Sequence, residues 1–445
     1  MPGTRISRKV NTAPGESLLV RAAAKFGTPL YLYDFDVIEA RVRALRAAVG
    51  PRFEIAYAIK ANPSLGILHF LREAGLSSDV ASRGELAAAR RAGFPPSRIL
   101  STGPAKTDAD LEALVRARVS IIHAEGEWEL ERLEEIASRL RVRRPVRVGL
   151  RLNPPWGIAE KKTIIGGPGA KKFGFDLTSA ERVLRSRKNG GGAAGGRGAF
   201  PHLDLCGFQV FNASNVLNAA LLVENTERAL RLALSLSKKF SVPLRSVDLG
   251  GGFGVPYAES EEPLDLGILR KGLGAVLREA RASGFPDSVR LVFEPGRFLV
   301  AEAGTYVVRV LGTKRSRGVN YVLLDGGIHH FLRPVLLESP HAARLVEQRA
   351  EAARRPSSPS EEIFVLSGPL CTSLDVLHPH AKLPMPGRGD LIAFANAGAY
   401  GYTESMPLFL SHEWAAEAGV RKGRLALLRR PPRVAELQAA QKMPF

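Results

Sequence analysis

Eight short apolar segments alternate with longer segments of helical periodicity in the first two thirds of this 445-residue chain. Short apolar runs predict β-strands, and apolar residues repeated every three or four positions predict helices between them. Eight such units over about 250 residues are the number found in a (β/α)8 barrel. The predicted strands are Phe53–Ile59, Ser77–Ala81, Arg98–Ser101, Ser120–His123, Val146–Leu152, Leu205–Phe211, Ser246–Leu249 and Leu291–Glu294. The predicted helices include Glu85–Ala92, Asp108–Ala117, Glu127–Leu140, Asn215–Phe240 and Asp265–Ala282.

After Arg297 the pattern changes, because helical periodicity becomes rare and short strands dominate. Strands that follow a series of alternating units are typical of a second, β-rich domain. The predicted strands of this part are Thr305–Thr313, Tyr321–Leu324, Ile363–Leu366, Leu391–Ala395 and Arg424–Leu428.

Charged residues and glycines gather where the predicted barrel strands end. The active site of a (β/α)8 barrel lies at the C-terminal ends of its strands, so these positions are the candidate site residues. In chain order they are Lys60, Asp79, Arg151, Gln209, Phe211, Gly250, Gly251, Gly252 and Glu294.

Lys60 follows the first strand, in the segment Tyr57–Pro63. A lysine half shielded at a strand end can lose its proton and form a Schiff base; a solvated lysine that opens a loop is the alternative. The run Gly250–Gly252 also has two interpretations. It is a tight turn, or it is a phosphate site, since the loops after the seventh and eighth strands usually bind phosphate in this barrel.

Glu294 ends the apolar segment Leu291–Phe293, so its carboxylate is expected to be buried and to need a partner. Arg297 is one candidate partner, in a structural ion pair. A heterocyclic nitrogen of a bound ligand, held protonated by the carboxylate, is the other.

The two cysteines do not make a disulfide framework, which is typical of a protein of the reducing cytoplasm. Cys206 alternates out of phase with Gln209 and Phe211, so we expect it to face the helices as a core residue. Cys371 follows a Gly-Pro turn and is the thiol expected to take part in chemistry. No apolar run approaches the roughly 18 residues of a membrane span, and residues 1–17 show no secretory signal, so a cytoplasmic protein is expected.

The chain carries 63 Lys and Arg against 44 Asp and Glu, a formal net charge of +19. Such a charge attracts acidic partners. The sequence has no aromatic-basic RNA signature, zinc-finger spacing or basic heptad region, so no specific nucleic-acid site is expected. The pairs His329/His330 and His378/His380 lack nearby carboxylate or cysteine support, so no metal site is expected either.

Together these segments resemble the fold-type III pyridoxal-phosphate decarboxylases, the group that contains diaminopimelate, ornithine and arginine decarboxylases. The resemblance extends from about Thr28 to Met406, with the motifs in the same order. The motifs are YAxKAN at Lys60, the glycine run Gly250–Gly252, EPGR at Glu294–Arg297, GPxCxxxD at Gly368–Asp375 and GAY at Gly398–Tyr400.

The resemblance implies a pyridoxal-phosphate-dependent amino-acid decarboxylase with an α/β fold, a (β/α)8 TIM barrel plus a C-terminal β-domain. It implies a homodimer with shared active sites, to which Cys371 and Asp375 come from the other subunit. Lys60 would carry the cofactor, Glu294 would hold the proton of the pyridine nitrogen, and Cys371 would donate a proton after carbon dioxide leaves. The other implied cofactor-binding residues are Asp79, Arg151, Phe211, Gly250, Gly251, Gly252, Gly296, Arg297 and Tyr400, and the implied substrate-binding residues are Arg297, Arg333, Asp375 and Tyr400.

Two departures from the family pattern concern the substrate. Phe211 stands where the family has a histidine that stacks on the cofactor, and Leu337 replaces the tyrosine of RPxLY, whose arginine is Arg333. Diaminopimelate is therefore not the expected substrate. The segments Leu370–Leu377 and Lys171–Gly174 resemble a divergent branch with exosortase-associated decarboxylases and decarboxylases of carrier-protein-bound glutamate. An acidic acyl-carrier protein is accordingly an expected partner of this basic chain.

Three other functions stay open at this point. A racemase of the same fold shares the barrel and the lysine but lacks GPxCxxxD. A non-catalytic homologue that acts as a regulator is compatible with the departures at Gln209 and Phe211. A basic nucleic-acid-binding scaffold is the third.

The predicted domains are an N-terminal segment 1–33 that packs with the β-domain, the cofactor-binding barrel 34–297 and the β-domain 298–445. Two segments are expected to be dispensable: the glycine-rich basic insertion 185–198 and the charged segment 342–362.

Overall fold

The computed structural model describes residues 14–157, 172–189, 199–212, 214–346 and 360–443. Lys171 of the segment Lys171–Gly174, and most of the insertion 185–198 and of segment 342–362, lie outside the described residues. The chain divides into two compact units. The barrel unit contains Val42–Val255 and Pro263–Gly296, and the sheet unit contains residues 14–41, Pro256–Glu262 and 297–443. Residues 34–41, 256–262 and Arg297 therefore belong to the sheet unit, whereas the sequence had placed them in the barrel.

The first described elements are helix α1 (Glu16–Phe26), strand β1 (Leu30–Asp34) and helix α2 (Phe35–Val49). Within the described ranges, eight parallel strands then close into a barrel, each paired with the next and the last paired with the first. The predicted (β/α)8 fold is confirmed. The barrel strands are β2 (Phe53–Ala58), β3 (Ser77–Val80), β4 (Ile99–Ser101), β5 (Ile121–Ala124), β6 (Val146–Leu152), β7 (Leu203–Val210), β8 (Ser246–Asp248) and β9 (Arg290–Phe293).

Helices of the barrel unit follow its strands, and side-chain caps fix where several of them begin. The Asn218 side chain accepts the backbone N–H groups of Ala220 and Leu221, which starts α8 at Ala219 and not at the predicted Asn215. None of the described helices is long and apolar enough to cross a membrane. The helices are α3 (Leu65–Glu73), α4 (Arg83–Arg91), α5 (Asp108–Ala117), α6 (Glu127–Arg139), α7 (Leu177–Asn189), α8 (Ala219–Phe240) and α9 (Leu266–Ala282).

After the barrel, the sheet unit resumes with the short helix α10 (Arg297–Val300) and continues mainly as strands. These are β10 (Gly304–Ser316), β11 (Val319–Leu324), β12 (Ala343–Val346), β13 (Glu362–Ser367), β14 (Val376–Leu383), β15 (Leu391–Phe394), β16 (Ala416–Arg421) and β17 (Arg424–Arg429). The unit also contains two short helices, α11 (Arg333–Leu336) and α12 (Val434–Gln438), and a 3-10 turn, Phe409–Ser411.

One sheet joins these strands with β1. Its order is β14-β13-β11-β10-β1-β16-β17, and β15 pairs with β10 and β12. β1 pairs antiparallel with β10 and parallel with β16, so the first strand of the chain lies between two strands from its C-terminal third. Leu30 and Leu32 of β1 are buried there with Leu19, Val307 and Ala418.

Candidate active site

Lys60 lies at the C-terminal end of β2, in a single 3-10 turn, Ile59–Ala61. Tyr57 donates its hydroxyl to the Asn62 carbonyl across this turn, and the Asn62 side chain accepts the Ser64 backbone N–H. Both bonds fix the backbone on which Lys60 stands. The predicted position of the lysine at a strand end is therefore its position in the structure.

Asp79, at the end of β3, is the carboxylate beside Lys60. Its Oδ2 lies 3.5 Å from Lys60 Nζ, and the two side chains are 1% and 35% exposed. Thr102 donates its hydroxyl to the other carboxylate oxygen at 2.7 Å, which holds the carboxylate in place. A buried carboxylate beside a partly exposed ammonium can orient that amine.

Phe211 follows β7 and lies near two cations. Lys60 Nζ is 5.6 Å from its ring centroid, and the Arg151 guanidinium is 5.8 Å away. A Cβ atom on Gly250 would collide with the Phe211 ring, so only glycine at 250 allows this close approach. Arg151 is itself held by Glu125, at 2.6 Å, a residue that the sequence analysis did not single out.

The glycine run after β8 exposes backbone donors. Gly250 and Gly252 have φ of +64° and +94°, and the Gly250 N–H donates to Asp248 at 2.8 Å. Within the described ranges, the N–H groups of Gly251 and Gly252 donate to no acceptor. Successive unbonded N–H groups in a turn of this kind form a site for an anion.

Glu294 follows β9 and is buried. Gln209 donates its Nε2 to both carboxylate oxygens at 3.1 Å. Burial, together with the negative charges of Asp248 and Asp79, raises the pKa of Glu294 well above its usual value. The carboxyl group is therefore suited to carry a proton.

Asp248 and His123 lie next to Glu294, and one polar atom from each of the three side chains is within 4.8 Å of the others. Burial raises the pKa of Asp248 to about 7 and lowers that of His123 to about 3, so His123 is neutral. Two neighbouring buried carboxylates cannot both be ionised at low cost, so the pair shares a proton. The sequence analysis missed both residues, although each stands at a strand end, the signal that identified Lys60.

In the sheet unit, Tyr400 lies between two arginines. The guanidinium carbons of Arg297 and Arg333 are 4.9 and 4.5 Å from its ring centroid. Arg297 donates to the Tyr257 hydroxyl at 2.9 Å, and Arg333 pairs with Glu404 at 2.5 Å. No role was predicted from the sequence for either partner: Tyr257 ends the segment Gly251–Tyr257, which resembles the divergent branch, and Glu404 lies outside the motifs.

Cys371 and Asp375 lie on the loop between β13 and β14. Cys371 is exposed, whereas Cys206 is buried as expected. Its core cluster consists of residues from other barrel strands and not of helix residues, so the expectation that it faces the helices is wrong. The Asp375 carboxylate accepts the backbone N–H groups of Ile328 and Leu370, each at 2.8 Å, and so fixes this loop. Burial raises the Asp375 pKa above its usual value.

The predicted site residues thus form two sets. In the barrel unit, contacts link Lys60 to Asp79 and Phe211, and Phe211 to Arg151 and Gly250. In the sheet unit, contacts link the residues around Tyr400, while Cys371 and Asp375 occupy a separate loop.

A sequence model of the family described as pyridoxal-dependent decarboxylase, pyridoxal binding domain, matches residues 35–301, more than half of the chain. Two curated relatives are each 32% identical. A decarboxylase of L-glutamyl BtrI acyl-carrier protein from Niallia circulans matches 94% of this chain and 94% of its own length. A diaminopimelate decarboxylase from Pseudomonas aeruginosa matches 96% and 95%.

A solved structure is similar as well. The diaminopimelate decarboxylase of Helicobacter pylori, in complex with L-lysine, has a TM-score of 0.80 and 28% sequence identity. A point mutant of the same enzyme has 29% identity. The similarity covers 93% of this chain and 96% of that one. It extends over the barrel and the sheet.

Pyridoxal phosphate is the cofactor of this enzyme class, and the barrel unit fits it. The cofactor needs an amine for its aldehyde, donors for its phosphate, a carboxyl group for its ring nitrogen and an apolar surface for its ring. Lys60, the unbonded N–H groups of Gly251 and Gly252, Glu294 and Phe211 are groups of these four kinds. The chain belongs to the pyridoxal-dependent decarboxylases and is a carboxy-lyase that uses pyridoxal phosphate.

Proposed function

We propose that this decarboxylase acts on L-glutamate carried as a thioester by an acidic acyl-carrier protein, and releases carbon dioxide from its α-carboxylate. The observation that carries the proposal is the similarity to the glutamyl carrier-protein decarboxylase over 94% of the chain. The net charge of +19 supports it, since a basic enzyme attracts an acidic carrier. Loss of Tyr from RPxLY at Leu337 argues against diaminopimelate.

The chemistry fixes how such a substrate is attached. The carboxylate that leaves must be free and must stand beside the amine. The carrier therefore holds glutamate through the side-chain carboxyl group, which has become a thioester and has lost its charge. The substrate class is an amino acid with a neutral acyl end.

The barrel unit provides the groups that hold the cofactor. Lys60 would bind it through the side-chain amine, with Asp79 orienting that amine from 3.5 Å. Glu294 would keep a proton at the ring nitrogen, and the Gly251 and Gly252 N–H groups would hold the phosphate. When bound, pyridoxal phosphate supplies the electron sink for the breaking carbon–carbon bond.

We assign four further roles in the barrel unit and at its boundary. Phe211 would pack against the face of the cofactor ring. Arg151, whose guanidinium is 5.8 Å from the Phe211 ring centroid, would fix the position of Phe211. Gly296 and Arg297 would add to the phosphate site, as in the family's EPGR motif.

In the sheet unit, Tyr400 would assist Arg297 at the phosphate, and Arg333 would face the distal end of the substrate. Cys371 would donate the proton that replaces the lost carboxylate. For this role we propose a homodimer in which Cys371 and Asp375 serve the other subunit. The exposure of Cys371 in the single chain supports it.

The test is a carbon dioxide release assay with the purified, cofactor-loaded enzyme. The substrates are glutamate loaded on an acyl-carrier protein through its side chain, free L-glutamate, diaminopimelate, ornithine and arginine. We expect the loaded carrier to be turned over at least about tenfold more efficiently than any free amino acid. Equal or faster turnover of a free amino acid would disprove the proposed substrate and leave the decarboxylase class untouched.

A further inference from the structure

Arg333 is a buried arginine with unused hydrogen-bonding capacity. Its side chain is 1% exposed, and only Nη1 has a hydrogen-bond partner, the Glu404 carboxylate. Nε and Nη2 are buried without a partner in the described structure. Unpaired buried donors are costly, so these two nitrogens point to a ligand that accepts hydrogen bonds from them.

The pairing of Arg333 with Glu404 is built into the backbone. Glu404 lies one turn after Tyr400, whose carbonyl accepts the Glu404 N–H. The next residue, Ser405, accepts the backbone N–H of Leu332 through its hydroxyl, directly before Arg333. Both partners are therefore fixed relative to each other, unlike a surface pair of two long mobile side chains.

The charge of Arg333 is consequently matched inside the protein. Nearby His341 is neutral, because burial lowers its pKa to about 4. Arg297, the other arginine on Tyr400, donates to the Tyr257 hydroxyl and has no carboxylate within ion-pair distance among the described residues. Glu404 acts on Arg297 only without a direct ion pair, so Arg297 is the less neutralised of the two cations.

A free carboxylate and a carbonyl oxygen would interact differently with Arg333. Glu404 already neutralises the Arg333 guanidinium, so a ligand carboxylate would gain little attraction there and would bring a second negative charge beside Glu404. A carbonyl oxygen of a thioester or amide accepts from Nε and Nη2 without adding charge. The site thus suits an acceptor that is polar and uncharged.

We propose that Glu404 acts as an internal counter-ion that makes Arg333 select substrates with a neutral acyl end over amino acids with a free distal carboxylate. The proposal rests on the proposed function and deepens it, since a glutamyl thioester has such an end and free glutamate does not. Glu404 is here a specificity-determining residue that acts through Arg333.

The test is binding of two matched ligands to the cofactor-loaded enzyme, measured by calorimetry. 4-Aminobutanamide has a neutral end, and 4-aminobutyrate has a carboxylate of nearly the same shape. We expect the wild type to bind the amide roughly tenfold more tightly, which corresponds to about 1.4 kcal/mol. Glu404→Gln should reverse the preference, because the freed Arg333 charge then attracts the carboxylate, and it should lower KM for free L-glutamate more than it changes kcat.

Two further variants make the result specific. Glu404→Asp keeps the charge and should retain the preference for the amide. Glu436→Gln is the matched control. It removes the carboxylate of another ion pair in the sheet unit, between Glu436 and Arg430, and Glu436 is 44% exposed, similar to the 36% of Glu404. It should leave both affinities unchanged.

A wild type that binds the carboxylate as tightly as the amide overturns the proposal, as does a Glu404→Gln enzyme with the wild-type preference. Because ligand binding needs no turnover, these outcomes are separate from the fate of the proposed substrate. If the enzyme does not decarboxylate carrier-bound glutamate but binds the amide more tightly, the role of Glu404 is supported and the carrier-bound substrate is disproved.

Discussion

At the residue scale, the chemistry of the barrel unit depends on a shared proton. Asp248 and Glu294 are neighbouring carboxylates in a buried site, and burial is the largest cause of the raised pKa of each. The Gly250 N–H fixes Asp248, and Gln209 fixes Glu294. A proton is thus stored beside the group proposed to hold the cofactor's ring nitrogen.

The proton shared by Asp248 and Glu294 predicts that the unfolding free energy depends on pH. Burial raises the pKa of Asp248 from its ordinary value of 3.8 to about 7 in the folded protein. Its contribution to the unfolding free energy is therefore fully present below about pH 4 and is lost as the pH rises through about 7. Asp248→Asn has no proton to lose. Its unfolding free energy relative to the wild type should therefore rise with pH, by up to ~1.4 kcal/mol per pH unit across this window.

Urea unfolding of the cofactor-free chain at several pH values measures this difference. Asp287→Asn, at an exposed position, is the control and should follow the wild type. A pH-independent difference for Asp248→Asn would contradict the shared proton.

Individual site residues could be predicted from the sequence where they stand in a motif or at a strand end and have an obvious chemical role. Lys60, Asp79 and Glu294 were found in this way. Asp248 was passed over as part of the glycine segment. Glu404 has no signal of its own, because a glutamate in a turn becomes informative only when the buried arginine opposite it is known.

At the element scale, the barrel strands were predicted within about two residues, because parallel strands buried on both faces are continuous apolar runs. Strands β1, β12, β14 and β16 were missed. β16 contains alanine and glycine, which have low β-propensity, and β14 carries His378, Pro379 and His380. β16 pairs with β1 and β14 pairs with β13, and this tertiary pairing decides that both segments are strands.

The prediction at the element scale concerns the turn after β8. Gly250→Ala should lower the unfolding free energy by about 1–3 kcal/mol, because alanine is strained at φ of +64° and its Cβ would collide with Phe211. The same change should weaken binding of the cofactor, since the neighbouring N–H groups would shift.

Gly312→Ala is the matched control, because a Cβ there meets nothing within 4 Å. Unfolding in urea and titration with pyridoxal phosphate give the two readouts. A Gly250→Ala protein as stable as Gly312→Ala, with unchanged cofactor affinity, would refute the role of this turn.

At the scale of the whole molecule, the excess of positive charge is the feature that bears on partners. A net charge of +19 raises the rate of encounter with an acidic protein far more than with a small substrate. Composition alone revealed this charge, but sequence patterns could not reveal which unit each segment joins. Residues 256–262 belong to the sheet unit although barrel segments flank them on both sides in the chain.

The charge predicts a salt dependence. Raising the salt from about 0.05 to about 0.5 M should lower kcat/KM for glutamate on an acidic carrier by roughly tenfold or more, since screening removes steering. The same amino acid on a short pantetheine thioester should change less than about twofold. Parallel salt curves for the two substrates would show that the charge does not recruit the carrier.

The position of β1 between β10 and β16 also has a consequence for how the protein is made. During synthesis β1 leaves the ribosome long before either neighbour, since the entire barrel is encoded between β1 and β10. While the barrel is translated, the apolar residues and backbone donors of β1 therefore have neither β10 nor β16 to pair with. The nascent chain is thus most exposed to aggregation, and most dependent on chaperones, until residue 421 has emerged and β16 can close the second side of β1.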